Sequence, residues 1–246
     1  MEFKKIKFVA NRPWLNQNSV SRPGPMIKNL PDWYNKADAQ EMDTASGLPR
    51  QKPEGGGMYF TWKSCPVVAD IMCSGYTYKT PCDIEFKEDF AGNIKASVLD
   101  PQHANILVER MPLERFPPPQ GFHAKHFAWW ADWAVELPEG YSALYAQPFN
   151  RFDLPFWTMS GIVDNDQVKL PGTMPFFVQK GFNGVIRAGT PYAQIIPFVR
   201  EHWEAEYDTS LSEAELEARR KEYAVRYRKP EGGVYRNKVW QEKKYQ

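Results

Sequence analysis

A chain of 246 residues is long enough for one large domain or two small ones and can bury a sizeable core without disulfide or metal staples. Its 31 basic residues nearly cancel its 30 acidic ones, which excludes a global field favouring nucleic acid or an anionic membrane, though not a local basic patch. No stretch approaches eighteen apolar residues, so no spanning helix is expected. The opening MEFKKIKFVANRPW lacks the apolar run and small-residue cleavage site of a secretory signal, so the protein is expected to stay in the compartment where it is made.

Proline (21 residues) and aromatics (9 Trp, 12 Tyr, 15 Phe) are abundant while long helical patterns are few. Proline suits strand edges and turns, and aromatic side chains suit pleated, half-buried surfaces. A mainly β fold, a β-sandwich or β-roll with one short helix and a C-terminal helix, is therefore expected. Cys65, Cys73 and Cys82 lack the close spacing of a zinc knuckle or redox pair and read as reduced, structural thiols.

Residues 1–57 read as an extended N-terminal arm, rich in Pro, Asn, Asp and Gly and ending in a glycine run, with Trp14, Leu30, Trp33 and Tyr34 available to dock it on the body or a neighbouring subunit. A β-rich body follows over 58–206. It begins with the alternating strand MYFTWK (58–63). Next comes a short helix punctuated by Ser64 as N-cap, Pro66 near the first helical position and Gly75 past the end. Residues 76–86 and 94–100 read as strands joined by a turn at Gly92-Asn93, with Pro81 marking an edge or bulge. PLERFPPPQG imposes a short polyproline stretch.

Residues 122–138 read as one long strand whose Trp129, Trp130 and Trp133 cannot all face inward, so an arm, partner or ligand covers part of that aromatic surface. YSALYAQPF, LPFWTMSGIVD, MPFFVQ and AQIIPFVRE are further strands. Residues 207–246 hold the one clear helix, with a Ser212/Glu215 capping box, and a tail alternating basic and aromatic residues. That tail either contacts nucleic acid through phosphates and stacked bases or packs Tyr235, Trp240 and Tyr245 onto the body, and packing is the expectation.

Phosphate-cradling glycine motifs and the common hydrolase and kinase signatures are absent. His123 and His126 are three apart, a spacing that puts them on opposite faces of a strand, and no third ligand is visible, so no metal site is expected. GIVDND (161–166) is the strongest local candidate: apolar residues deliver Asp164, Asn165 and Asp166 at the mouth of a strand, where a carboxylate can act as general base. Asp and Asn are also preferred turn formers, and the turn is the alternative reading.

The order from Pro138 and Gly140 through Gly161–Asp164 to the closing strand Gly189–Ile195 resembles the late strands of the dUTPase and dCTP deaminase family. The resemblance covers about sixty residues and implies a β-roll. It further implies Asp164 as the water-activating or sugar-contacting carboxylate, Asn150 and Arg151 in place of the family's phosphate contact, Gln194 and Asp166 framing the ligand, and Mg²⁺ as the cofactor of that alternative alone. The chain departs from the family at PFNR (148–151), where Arg-Ser-Gly is usual, and at Gln167, Val168 and Lys169, where Tyr-Arg-Gly is usual.

From about residue 58 onward the chain also resembles uncharacterised proteins of tailed, cyanophage-like phages. That resemblance implies a phage setting, in the virion or the host cytoplasm. The expected function is non-enzymatic: a β protein, with no cofactor, acting by binding copies of itself or another phage or host protein. Alternatives are a nucleotide-processing enzyme with Asp164 as general base, or a nucleic-acid-binding accessory protein using the basic tail. Neither a membrane nor, in the main reading, nucleic acid is an expected partner.

Overall fold

The computed structural model describes residues 4–53, 57–112, 117–227 and 235–246, except the side chains of 225–227 and 236. Glu54, Gly55 and Gly56 of the glycine run, the Leu-Glu-Arg-Phe stretch before the prolines and Gly232-Gly233 lie outside the described residues. The chain divides into two compact units. The first comprises Met1–Asn29, Ser74–Arg200 and Tyr245–Gln246, and the second Leu30–Cys73 and Glu201–Lys244. The segment expected as one arm is thus shared, 1–29 in the first unit and 30–57 in the second. Among the described residues no helix is long and apolar enough to cross a membrane.

The first unit is built from antiparallel strands, and the protein is mainly β as expected. In chain order the strands are β1 (Lys7–Ala10), β2 (Gly24–Pro25), β3 (Tyr76–Lys79), β4 (Ile84–Glu88), β5 (Ile94–Val98), β6 (Leu107–Arg110) and β7 (His126–Trp130). They continue with β8 (Trp133–Glu136), β9 (Tyr141–Ala146), β10 (Phe156–Thr158), β11 (Gly161–Val163), β12 (Thr173–Val178), β13 (Gly184–Ile186) and β14 (Pro191–Val199). Among the described residues they form four sheets, ordered β11-β9-β14-β3-β2, β10-β12-β7-β6, β13-β4-β5 and β1-β8.

Aromatic side chains pack within and between the sheets. Trp129 of β7 stacks on Phe176 of β12 with centroids 3.8 Å apart and on Tyr192 of β14 at 4.8 Å, while Phe86 of β4 meets Phe127 edge-on at 5.5 Å. All five rings are buried. Each contributes ~2–3 kcal/mol through area removed from water. The Trp129 indole N–H donates to Thr158 Oγ1 at 3.1 Å, which removes the penalty of burying a donor.

Several expected strands are divided, and each division has a local cause. The 76–86 run is two strands in different sheets, parted at Thr80–Asp83, where Pro81 lacks the N–H a ladder needs. The 122–138 run breaks at Ala131-Asp132, so the chain leaves the sheet of β7 and pairs its continuation, β8, with β1. Trp129 and Trp133 face the core while Trp130 faces out, where the Arg12 guanidinium covers it at 5.9 Å from the ring centroid. LPFWTMSGIVD likewise splits into β10 and β11 at Met159-Ser160. The Gly92-Asn93 turn joins β4 and β5 as expected, with Gly92 at φ +78° and Asp89 Oδ1 accepting from the Asn93 N–H at 2.9 Å.

In the second unit, the α-helices among the described residues are α1 (Asp32–Lys36), α2 (Pro66–Cys73) and α3 (Glu213–Tyr227), and Tyr235–Val239 forms a π-helical turn. The expected strand at 58–63 is absent: Met58 and Phe60 form isolated bridges to Gln51 and Gln40, and Trp62–Ser64 is a 3-10 turn. Its alternation has no sheet face to bury against, and Phe60 and Trp62 stay exposed. Helix α2 begins at Pro66 as its missing N–H allows, and the hydroxyl of Ser64 just before it donates to the Thr61 carbonyl at 2.8 Å. The capping box of α3 forms, with the Ser212 N–H donating to Glu215 Oε2 at 2.8 Å. In the tail, Trp240 Nε1 and Lys243 Nζ donate to Asp70 Oδ2 at 2.9 and 2.6 Å. Burial pushes the Cys82 thiol, in the first unit, up to about 11, and all three cysteines are free.

Candidate functional site

The sequence candidates fall into two groups at opposite ends of the β9–β14 pair. Gln194 pairs with Ala146 and Val199 with Tyr141. Five residues of strand, roughly 17 Å, separate the two ends.

At one end lie Gln194, Asn150 and Arg151. Gln194 is fully buried; its Oε1 accepts from the Phe149 N–H at 3.0 Å and its Nε2 donates to the Ser74 carbonyl at 2.7 Å. It ties the 147–150 turn to the start of β3. Asn150 adopts φ +58°, the left-handed conformation that Asn tolerates in turns. Arg151 grips Asp153 through two parallel bonds of 2.9 Å, from Nε and Nη2.

At the other end Asp164 and Asp166 leave β11 and meet Arg200, the residue just past β14. Arg200 Nη1 donates to Asp166 Oδ1 at 2.7 Å and Nη2 donates to Oδ2, while the Gly140 N–H reaches Oδ2 at 2.9 Å. Hydrogen bonds from Arg200, aided by the Gly140 N–H and the guanidinium charge, hold the Asp166 carboxyl well below the usual carboxylate range. Asp164 accepts from Ser142 Oγ at 2.6 Å and lies 3.3 Å from Arg200 Nη1, yet its side chain is half exposed. Between them Asn165 is buried, accepting from Tyr145 Oη at 2.9 Å and donating to the Val168 carbonyl at 3.2 Å.

A cleft of about 450 Å³ opens beside this turn. Met159, Val163, Val168, Leu170, Pro171 and Met174 supply much of its wall, and Tyr78, Tyr145, Asn165, Ser160 and Thr173 are among its polar positions. Its size is that of a pocket for a small molecule or a few side chains. Both tyrosines are buried and already committed, Tyr78 donating to the Trp133 carbonyl at 2.6 Å and Tyr145 to Asn165. Burial raises both phenol pKa values, so they stay neutral. Met159, Val168 and Leu170 leave large apolar side chains exposed around it. β11 pairs only with β9 and so ends its sheet next to the cleft.

Sequence reasoning missed Arg200, which is 34 residues from Asp166 in the chain; its position directly after the last strand is the available signal. It also missed the tyrosine floor, since Tyr78 and Tyr145 read simply as strand residues. His123 and His126 diverge: His126 stacks on Phe177 with centroids 5.1 Å apart, and His123 Nε2 stands 3.3 Å from Glu88 Oε2 without the alignment of a hydrogen bond. Among the described residues, no group of three or more His, Cys, Asp or Glu side chains could hold a metal ion.

No family model matches the chain, and no curated protein matches its sequence. Among solved structures it is similar to a mutant dUTPase of Staphylococcus aureus phage phi11, described with a structural Mg(II) ion, at 16% identity and a TM-score of 0.26, over 43% of this chain and 98% of that one. It is also similar to a mutant dUTPase of Staphylococcus bacteriophage 80alpha with dUpNHpp, at 19% identity and a TM-score of 0.25, over 44% and 93% of the two chains. At these values the likeness is a weak dUTPase-like resemblance that assigns neither family nor activity.

Proposed function

We propose that this protein acts by binding rather than by turnover, with the cleft beside β11 receiving apolar side chains of a partner in a phage setting. The observation that carries this reading is the pairing of an open apolar cleft with carboxylates tied down by structural bonds: Asp166 by Arg200 and Gly140, Asp164 by Ser142. Exposed apolar side chains grouped around a concavity are a common mark of an interaction site. No cofactor is needed for such a role.

A second reading, a nucleotide-processing enzyme, is favoured by one feature. Asp164 is half exposed and adjoins in sequence Val163 and Asn165, both of which line the cleft, so a general base at the turn beside the cleft is the feature in question. Mg²⁺ would enter only in this reading. Arg151, roughly 17 Å of strand away and clamped to Asp153, is poorly placed to help within one chain. Incubating the purified protein with each deoxynucleoside triphosphate and Mg²⁺ separates the two. The binding reading expects no turnover, and turnover abolished by Asp164→Asn would establish the enzyme instead.

A further inference from the structure

A second concave surface lies in the first unit, away from the turn after β11. Two adjoining grooves of about 440 and 510 Å³ share Ile6, Phe8, Tyr76 and Gln246 in their walls. Phe8 meets Tyr76 edge-on at 5.4 Å, and Tyr76 meets Tyr245 at 5.9 Å, giving an aromatic floor. Lys4, Lys5 and Lys7 line one groove and Arg22 the other. Among the described residues, Lys7 alone of these pairs with a carboxylate, Glu136 at 3.0 Å on the exposed surface, and such a pair is weak. Burial, and then the charge of Arg22, hold the ammonium pKa of Lys79 on β3 down.

Trp133 lines this groove too, and its Nε1 is a buried donor with no acceptor among the described residues. A buried N–H left without a partner is costly, so an occupant bringing a carbonyl or carboxylate would be favoured here. β1, which supplies Lys7 and Phe8, carries a strand on one edge only. The surface therefore suits an extended, acidic, aromatic segment.

The chain contains one. Residues 201–208, EHWEAEYD, form no helix or strand and are exposed throughout; Trp203 is 87% and Tyr207 86% exposed. In an extended conformation Trp203, Ala205 and Tyr207 share one face, and Glu204, Glu206 and Asp208 the other. This is the alternation of a strand that has an apolar surface to cover, and eight residues reach about 27 Å when extended. We infer that residues 201–208 of a second copy of this chain dock in the groove, aromatic face on Phe8 and Tyr76, acidic face under Lys4, Lys5 and Arg22. Lysine stems are long enough to fold over such a segment while their ammonium groups reach its carboxylates. A reciprocal exchange gives a symmetric dimer, the commonest closed assembly.

Sedimentation velocity of the full chain over a range of concentrations tests this. The expected result is a reversible dimer that weakens as salt rises. Its dissociation constant should rise at least tenfold in Trp203→Ser/Tyr207→Ser, in Lys4→Glu/Lys5→Glu and in Glu204→Lys/Glu206→Lys, changes confined to exposed positions. Mixing the last two variants should restore association, because the reversed charges match again. A chain that stays monomeric, or an oligomer indifferent to both charge reversals, overturns the inference. Gly161→Trp, which alters the other cleft, should leave this association unchanged, so the two assignments fail separately.

Discussion

Asp166 receives three donor contacts, two from Arg200 and one from the Gly140 N–H, in a side chain that is almost wholly enclosed. Arg200→Ala removes two of them and the counter-charge together, and thermal melts should show a fall of several degrees. Arg200→Lys should recover only part, since an ammonium cannot make the parallel pair. The direction with pH follows from the depressed carboxyl. Its folded pKa lies below the unfolded value of about 3.9, so between the two the unfolded chain binds more protons. The stability owed to Asp166 is thus complete above that unfolded value and is lost as pH falls through the folded one. Asp166→Asn should flatten the acid limb of a melting-temperature profile; an acid limb identical to that of the parent chain would show that the contact adds nothing.

At the scale of elements, Gly75 marks where sequence punctuation and packing coincide. It has φ +72°, and a Cβ there would lie 2.1 Å from the backbone oxygen of Ile195, an atom held in the β14 ladder. Gly75→Ala should cost about 2 kcal/mol or more in denaturant unfolding, combining left-handed strain with a clash that cannot relax. Gly161→Ala is the control: nothing lies within 4 Å of its Cβ and its φ is ordinary, so a change within about 0.5 kcal/mol is expected.

Such local signals were legible in the chain. The capping box of α3, the Gly92-Asn93 turn and the strand identity of β9, β12 and β14 follow from residue chemistry and period-two alternation. What was not legible is where a continuous apolar run changes sheet. At Ala131-Asp132 no Gly or Pro marks the break; Asp132 leaves the strand to accept from Ser21 Oγ at 2.8 Å, a contact 111 residues distant. The candidate site divides in the same way. The acidic turn reads directly from GIVDND, but its partner Arg200 and the tyrosines under the cleft are set by strand pairing that no local pattern encodes.

At the scale of the molecule, the two surfaces of the first unit differ in kind: an apolar cleft by the acidic turn, and a basic, aromatic groove near β1. The cleft is best probed with a neutral apolar dye, which avoids the attraction of the lysines. A fluorescence titration with Nile red should show saturable binding to the full chain at one site. Gly161→Trp places a large side chain on the cleft wall at a position with open space, and it should abolish that signal while leaving the far-ultraviolet circular dichroism unchanged. Probe binding of equal strength in the parent and the variant, or no saturable binding to either, would contradict the proposed role of the cleft.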